Sequence, residues 1–439
     1  MQLEIKRLGI NGEGIGYINR KAVFVEFALP GEVVEIDIIE DKQTYMKAKL
    51  IKVIKESPHR VIPFCPVYDT CGGCQLQHLT YQEQLTLKRE LIIQALKRYV
   101  GSKVKFGLID DMIGMTDPTH YRNKASLPIQ YINQKTEMGL YKPGSNHFIA
   151  FESCPVHNHD VNKVYRLILN QMEKRRIEAA NRGGVIRFIV IRKTHHDKET
   201  QVSFIVTKKE PKIKALADYL VEKFETVKSV YEVINSNFKS RDFFTKQTKL
   251  LAGKETISET LNGINFMLKP DAFFQLNTIQ AEKLYEKVIE IGDFRKTDVV
   301  VDAFGGVGPL AFYIAPLVNK VYSIDLEQAS IESLKETLNH NHIENIMPLQ
   351  GDVKTVLNQQ NINADVIVFD PPRTGLGKAF TDFLLKHKPK KLIYISCNPS
   401  TLAKDLNELL KLYEVKRIIP YDFFPQTSHV ESLTLLTLK

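Results

Sequence analysis

The sequence predicts an α/β protein: a doubly wound, mostly parallel sheet from residue 269 onward, preceded by a small β-barrel and a mixed α+β segment. Three observations carry this. After residue 269, apolar runs ending in an acid or a thiol alternate with amphipathic stretches, and that alternation builds parallel sheets flanked by helices. Residues 1–56 show short apolar runs punctuated by glycine, the pattern of a small antiparallel barrel. Residues 58–268 mix a cysteine cluster, a helical stretch at Tyr81–Tyr99 and isolated strand-like runs, without repeats.

Taken in order, Gly9, Gly12, Gly14 and Gly16 break the opening segment, Pro30-Gly31 makes a turn, and apolar runs at 22–27 and 33–39 supply strands. The Gly-x-Gly-x-Gly run is not a dinucleotide fingerprint, because no helix and no acidic strand end follow at the required distance. Ser57-Pro58 marks a boundary, which gives three segments: 1–57, 58–268 and 269–439. In the second, residues 187–192 and 201–206 read as strands. In the third, strands are expected at 299–302, 321–325, 365–370 and 392–396, with helices at 327–341 and 401–412 between them.

Composition narrows the function classes. The formal net charge is +9, and residues 57–268 hold 32 basic against 21 acidic side chains, so the middle of the chain carries the excess. A localised excess of this kind fits an anionic partner such as nucleic acid. There is no apolar leader and no apolar stretch long enough to span a bilayer, so a cytoplasmic protein without a membrane partner is expected. Four of the five cysteines precede residue 155. In so large a chain a disulfide framework is the poorer use for them, and metal binding or catalysis the better.

Several motifs point to chemistry. Asp302-Ala-Phe-Gly-Gly-Val-Gly308 follows a strand and opens a helix, where glycines let backbone approach a ligand. Asp325, about twenty residues on, ends the next strand and is placed for a ribose diol; Asp352 follows the third strand, suited to an adenine amino group. The glycines lack dinucleotide spacing, so an adenosyl ligand without a pyrophosphate, such as S-adenosylmethionine, fits better. Asp370-Pro-Pro-Arg-Thr-Gly makes a rigid strand exit. Cys397 ends an apolar run, because Asn398-Pro399 cannot continue a central strand, and a thiol there faces the crevice where open α/β sheets bind ligands. Glu431 is a carboxylate in reach of the same site. Cys65, Cys71, Cys74 and Cys154 form C-x5-C-x2-C with a distant fourth thiol. Four thiolates suit zinc or an iron–sulfur cluster, and the lone Cys154, in place of a second close pair, favours [4Fe–4S].

With these residues in view, the whole chain resembles the S-adenosylmethionine-dependent RNA uracil-C5 methyltransferase family. The resemblance rests on Asp370-Pro-Pro-Arg-Thr-Gly with Ile395-Ser-Cys-Asn-Pro-Ser-Thr, on Asp422-Phe-Phe-Pro-Gln-Thr-Ser-His-Val-Glu431, and on Phe273-Phe-Gln-Leu-Asn277. It implies a class I (Rossmann-like) methyltransferase domain behind a TRAM- or OB-like barrel, and a central α+β domain carrying a [4Fe–4S] cluster on the four cysteines. It implies Cys397 as nucleophile and Glu431 as base. It further implies that Gln275, Phe304, Asp325, Asp352 and Asp370 line the S-adenosylmethionine and uracil sites, Asp370 reaching the base, and that Arg122 contacts RNA. Two departures stand out: Gly305-Gly306 where the family commonly has Cys-Gly, and Asp325 where Glu is common. The barrel and the cysteine set resemble the subset acting on 23S ribosomal RNA, and a monomer is expected. The alternatives are a tRNA uridine-C5 methyltransferase and a non-catalytic, cluster-bearing RNA-binding protein. A cytosine-C5 enzyme is disfavoured, since those generally use two cysteines in the catalytic domain. The Lys174-Arg175-Arg176 triplet is either a phosphate contact or a solvated helix face.

Overall fold

Alternation in the opening residues sends Leu3 and Ile5 inward and Gln2 and Glu4 outward, so the first strand has one apolar face to bury. In the computed structural model, strands β1 (Gln2–Leu8), β2 (Gly14–Ile18), β3 (Lys21–Val25), β4 (Val33–Asp41) and β5 (Tyr45–Lys55) bury that face by closing a barrel in the order β1-β2-β3-β5-β4. Leu3, Ile5, Val23, Val25, Val34 and Ile36 fill it. The barrel is not purely antiparallel as expected: β3 and β5 pair parallel, because β5 returns from its hairpin with β4 to the far side of β3. The punctuating glycines have a steric cause, since a Cβ on Gly14 would sit 2.5 Å from the Ala28 carbonyl oxygen. Arg60 fastens the barrel's exit, bonding the buried Glu32 carboxylate through Nε at 2.6 Å and Nη2 at 2.8 Å.

The structure describes residues 1–238, 240 and 242–439. Two compact units result, one from Met1–Pro118 with Val368–Lys439 and one from Thr119–Ile367. The second unit opens with a seven-stranded sheet of β6 (Lys124–Ile132), β7 (Lys135–Tyr141), β8 (Phe148–Ala150), β9 (Ile186–Lys193), β10 (Thr200–Val206), β11 (Val227–Ile234) and β12 (Thr248–Gly253). Its order is β12-β11-β10-β9-β6-β7-β8. Strands β10 and β11 pair in parallel and are joined through the helix Pro211–Lys223, as a crossover requires. A hairpin, β13 (Ile257–Leu261) with β14 (Ile264–Leu268), leads to the helix Thr278–Gly292. Strands β15 (Val299–Ala303), β16 (Lys320–Asp325) and β17 (Ile346–Gln350) then pair in parallel in the order β17-β16-β15. Val300, Val301 and Val321 are fully buried, as β-branched residues in a covered parallel sheet should be.

The chain passes back to the first unit in β18 (Val366–Phe369). There β19 (Lys391–Ser396), the helix Pro399–Leu409, β20 (Tyr413–Tyr421) and β21 (Glu431–Leu438) complete the fold. Strand β21 pairs antiparallel with both β19 and β20. This end of the sheet thus departs from the parallel pattern, because the short connection 422–430 reverses the chain without a crossover. Among the described residues, no helix is long and apolar enough to cross a membrane.

Candidate active site

Cys397 follows β19 directly. Asn398 caps the next helix, its Oδ1 accepting from Ser400 N at 3.0 Å, and Pro399 takes the first helical position, where its missing N–H costs nothing. The strand therefore stops at the thiol and the helix leads away. Because β21 runs against β19, Ser396 pairs with Ser432, and Glu431 enters the sheet level with the thiol. Asp370 and Arg373 come to the same place from the segment after β18. Burial pushes the Cys397 thiol up to about 12, helped by the charges of Glu431 and Asp370 and opposed by Arg373. Glu431 is raised well above the ordinary carboxylate value, first by desolvation, then by Asp370, again against Arg373. An acid raised by its neighbours holds its proton until substrate or solvent changes the balance. The thiol and Glu431 thus titrate under the charges of Asp370 and Arg373, which act on both in opposite directions.

A cavity of about 410 Å³ opens over Cys397. Its walls include Arg373, His429, Gln75 and, from the barrel, Ile10 and Asn11. Arg373 Nη2 and His429 Nδ1 stand 2.5 Å apart. Sequence reasoning assigned no role to these wall residues. Arg373 and His429 lie inside the motifs that carry the resemblance, whereas Ile10 and Asn11 sit in a glycine-bounded loop that carries no local signal.

The other expected ligand residues gather in the second unit. Phe304 begins the glycine loop after β15 at φ 62°, a left-handed conformation unusual for an aromatic residue and of the kind that collects at functional sites. A Cβ on Gly306 would meet nothing within 4 Å, so backbone is open to a ligand there. Asp325 accepts from Gly306 N and Glu327 N, each at 2.9 Å; a carboxylate with about four acceptor positions still has capacity for a diol. Gly305 is tight instead: a Cβ would lie 2.6 Å from Asp302 Oδ2 and 2.4 Å from Ser323 Oγ. Asp302 is 2% exposed, and burial raises its carboxyl to about 7, with the Ser323 hydrogen bond opposing. Asp352 has a local task that sequence reasoning missed. Its Oδ1 accepts from Thr355 N at 2.9 Å and Thr355 Oγ1 at 2.7 Å, capping the helix Val353–Gln359. Gln275 is half-buried, with its carbonyl held by Asn123 Nδ2 at 2.9 Å. These residues fit an adenosyl ligand: an open glycine loop lies beside an acid at the end of the neighbouring strand.

Arg122 stands beside Lys124, bonding its carbonyl through Nε at 3.1 Å. Burial lowers the Lys124 ammonium to about 7, with Arg192 and Arg122 adding repulsion and Asp271 opposing. The triplet ends the helix His159–Arg175, where cations suit the helix dipole. Arg175 stacks over Tyr219 at 4.6 Å, and Arg176 turns left-handed at φ 52°.

Cys65 and Cys71 bracket the short helix Tyr68–Cys71; burial raises both thiols, and the Cys65 charge adds to the shift at Cys71. Cys74 follows in the same unit, and Cys154 belongs to the other. Among the described residues, no group of three or more His, Cys, Asp or Glu side chains that could hold a metal ion is found.

Known proteins match along the whole chain. The family described as tRNA (Uracil-5-)-methyltransferase matches residues 352–439, a TRM5/TYW2 methyltransferase domain matches 262–386, and a TRAM domain matches 1–51. An uncharacterized RNA methyltransferase of Bacillus anthracis is 38% identical over 99% of this chain and 96% of its own length. One from Clostridium tetani is 35% identical over 99% of this chain and 95% of its own length. The crystal structure of Pyrococcus abyssi tRNA (uracil-54, C5)-methyltransferase with S-adenosyl-L-homocysteine has a TM-score of 0.78 and 25% identity, covering 100% of both chains. The fold is thus that of a methyltransferase with an amino-terminal TRAM domain, here a five-stranded barrel.

Proposed function

The chain belongs to the RNA uracil-5-methyltransferase family, and we propose that it methylates C5 of a specific uridine in 23S ribosomal RNA through a covalent adduct on Cys397. The observation that carries this reading is the antiparallel entry of β21, which sets Glu431 beside the thiol at the end of β19.

Uracil C5 is too weak a nucleophile to take a methyl group unaided. Addition of Cys397 Sγ to C6 moves the ring's electrons toward C5, which becomes the nucleophile. Gln275, Phe304, Asp325 and Asp352 would hold S-adenosylmethionine, which would supply an electrophilic methyl group to C5 and leave as S-adenosylhomocysteine. Glu431 then takes the C5 proton, the C5=C6 bond reforms, and Sγ leaves as thiolate. The raised thiol fits this sequence, because the nucleophile forms only when a proton acceptor and the base are both in place. Asp370 is the adjacent acceptor for the thiol proton, which leaves Glu431 for the C5 proton, and Arg373 offsets the negative charge that results. The target base must be unstacked or single-stranded to reach the cavity. Arg122 and its cationic neighbours would hold the flanking phosphates.

The TRAM barrel and the cysteine set support ribosomal RNA. Transfer RNA is the second reading, favoured by the similarity to the Pyrococcus abyssi enzyme, which is named as acting on tRNA. Mapping 5-methyluridine in RNA from a strain lacking this protein decides between them. Loss of one position from 23S ribosomal RNA is expected; loss from transfer RNA alone would overturn the assignment. Action as a monomer in the cytoplasm belongs to the same reading.

So does a [4Fe–4S] cluster on Cys65, Cys71, Cys74 and Cys154, supported by their spacing. Protein purified without oxygen should contain about four irons per chain. Stoichiometric zinc in iron-replete protein would refute the cluster.

A further inference from the structure

Glu431 is the first residue of β21, paired with Tyr421 of β20, and the connection 422–430 that leads to it contains no helix or strand. The first residue of a strand takes its position from the segment that delivers it, so that segment needs an external hold. The helix Tyr81–Tyr99 and the turn before it supply one. Lys88 Nζ donates to Asp422 Oδ1 at 2.6 Å and to the Phe424 carbonyl at 3.1 Å, and both charged side chains are fully buried. Gln84, 1% exposed, forms a reciprocal pair with Gln426. Its Nε2 lies 3.0 Å from Gln426 Oε1, and its Oε1 accepts from Gln426 N at 3.1 Å. The same Nε2 reaches the Leu76 and Leu79 carbonyls at 3.0 and 2.9 Å, tying the connection to the turn. Gln75 N and Leu76 N both donate to the Gln426 carbonyl, at 3.0 and 2.9 Å. Gln426 itself is held at φ 70°, a conformation that costs energy for a residue with a Cβ and persists only where neighbours enforce it.

We propose that Gln84 and Lys88 are positioning residues for proton abstraction: they fix the connection 422–430 so that Glu431 meets C5 of the adduct. This rests on the roles given above to Cys397 and Glu431. Burying an ammonium and a carboxylate is a weak route to stability, since an apolar pair of similar volume serves as well or better. A buried polar network instead specifies one arrangement of the segment it holds. The thiol stands at the end of β19 and does not follow the connection, whereas Glu431 is the first residue after it. Proton transfer depends on the hold, since the carboxylate must lie within about 3 Å of the proton. The dependent step is balanced: Glu431 takes the C5 proton, the C–H electron pair becomes the C5=C6 bond, and the C6–Sγ pair departs with sulfur.

The test uses full-length protein, methyl-labelled S-adenosylmethionine and total RNA from a strain lacking the protein. Gln84→Met keeps the side-chain length and removes both of Gln84's bonds to Gln426. Lys88→Met combined with Asp422→Leu removes both charges together, leaving no lone buried ion. In each, single-turnover methyl transfer should stay near wild type. Steady-state turnover should fall about 100-fold, as a displacement near 1 Å costs, while methylated RNA–protein adduct resistant to denaturation accumulates. Turnover equal to wild type, methyl transfer and release falling together, or loss of the fold in both variants would overturn the proposal and leave these residues a structural role alone. Failure of the wild-type protein to methylate the same RNA would instead refute the parent reading.

Discussion

Cys397→Ala is expected to lose methyl transfer by at least about four orders of magnitude, the scale on which removal of a covalent nucleophile acts. It should also form no adduct with RNA. The thiol sits where a strand ends and a capped helix begins, so the fold does not need its sulfur and the loss is chemical. No neighbouring group can substitute. Asp370, Glu431 and Arg373 share the site, and neither a carboxylate nor a guanidinium is nucleophilic enough to add to C6 in place of a thiolate. In the wild-type protein the thiol stands near 12, so adduct formation should rise with pH across the neutral range as thiolate becomes accessible. Incubation with labelled cofactor and RNA, followed by scintillation counting and a denaturing gel at several pH values, measures both. Residual turnover by Cys397→Ala would remove the thiol from the mechanism.

Much of the fold was legible because its strands are buried on both faces. The runs at 299–303 and 391–396 are apolar for that reason, and the acid or thiol at each end marks where the strand meets the crevice. The glycine loop and Cys397 could be read the same way. Glu431 was expected in reach of Cys397, but the route, β21 entering between β19 and β20, is a long-range pairing that no local pattern announces. The parallel β3–β5 pairing is hidden similarly. Asp352 was read by its place after a strand, although Asp before a helix is equally a capping residue. Lys88 gave no signal at all: lysine on an amphipathic helix belongs on the surface, and only the position of Asp422 explains its complete burial. Ile10 and Asn11 line the cavity because of where the barrel rests within its own unit, which composition cannot reveal.

Glu431→Gln separates catalysis from stability, with opposite signs. Glutamine cannot accept the C5 proton, but it fills the same space and leaves Cys397 able to add to C6. Methyl transfer should therefore occur once, and release should slow by about 10²- to 10⁴-fold, the usual contribution of a general base. A methylated, covalent RNA complex should accumulate and survive a denaturing gel. The stability effect comes from the raised carboxyl. In the unfolded chain the group titrates near its ordinary 4.5, whereas in the folded protein desolvation and Asp370 hold the proton to higher pH. The unfolded state thus sheds its proton first. Stability contributed by the protonated group is complete below 4.5 and is lost as pH rises through the folded value. Glutamine does not titrate, so the variant should melt above wild type at pH 8, with the difference shrinking toward pH 5. Thermal unfolding at both pH values checks this. A variant that binds RNA without ever forming the adduct would show that the carboxylate acts before methyl transfer. A variant less stable than wild type at pH 8 would show that its charge is held by a partner stronger than Arg373. A gain in stability together with a stalled adduct is the pair of results a buried catalytic base requires, because the desolvation that strains the folded state is also what readies the carboxylate to take the proton.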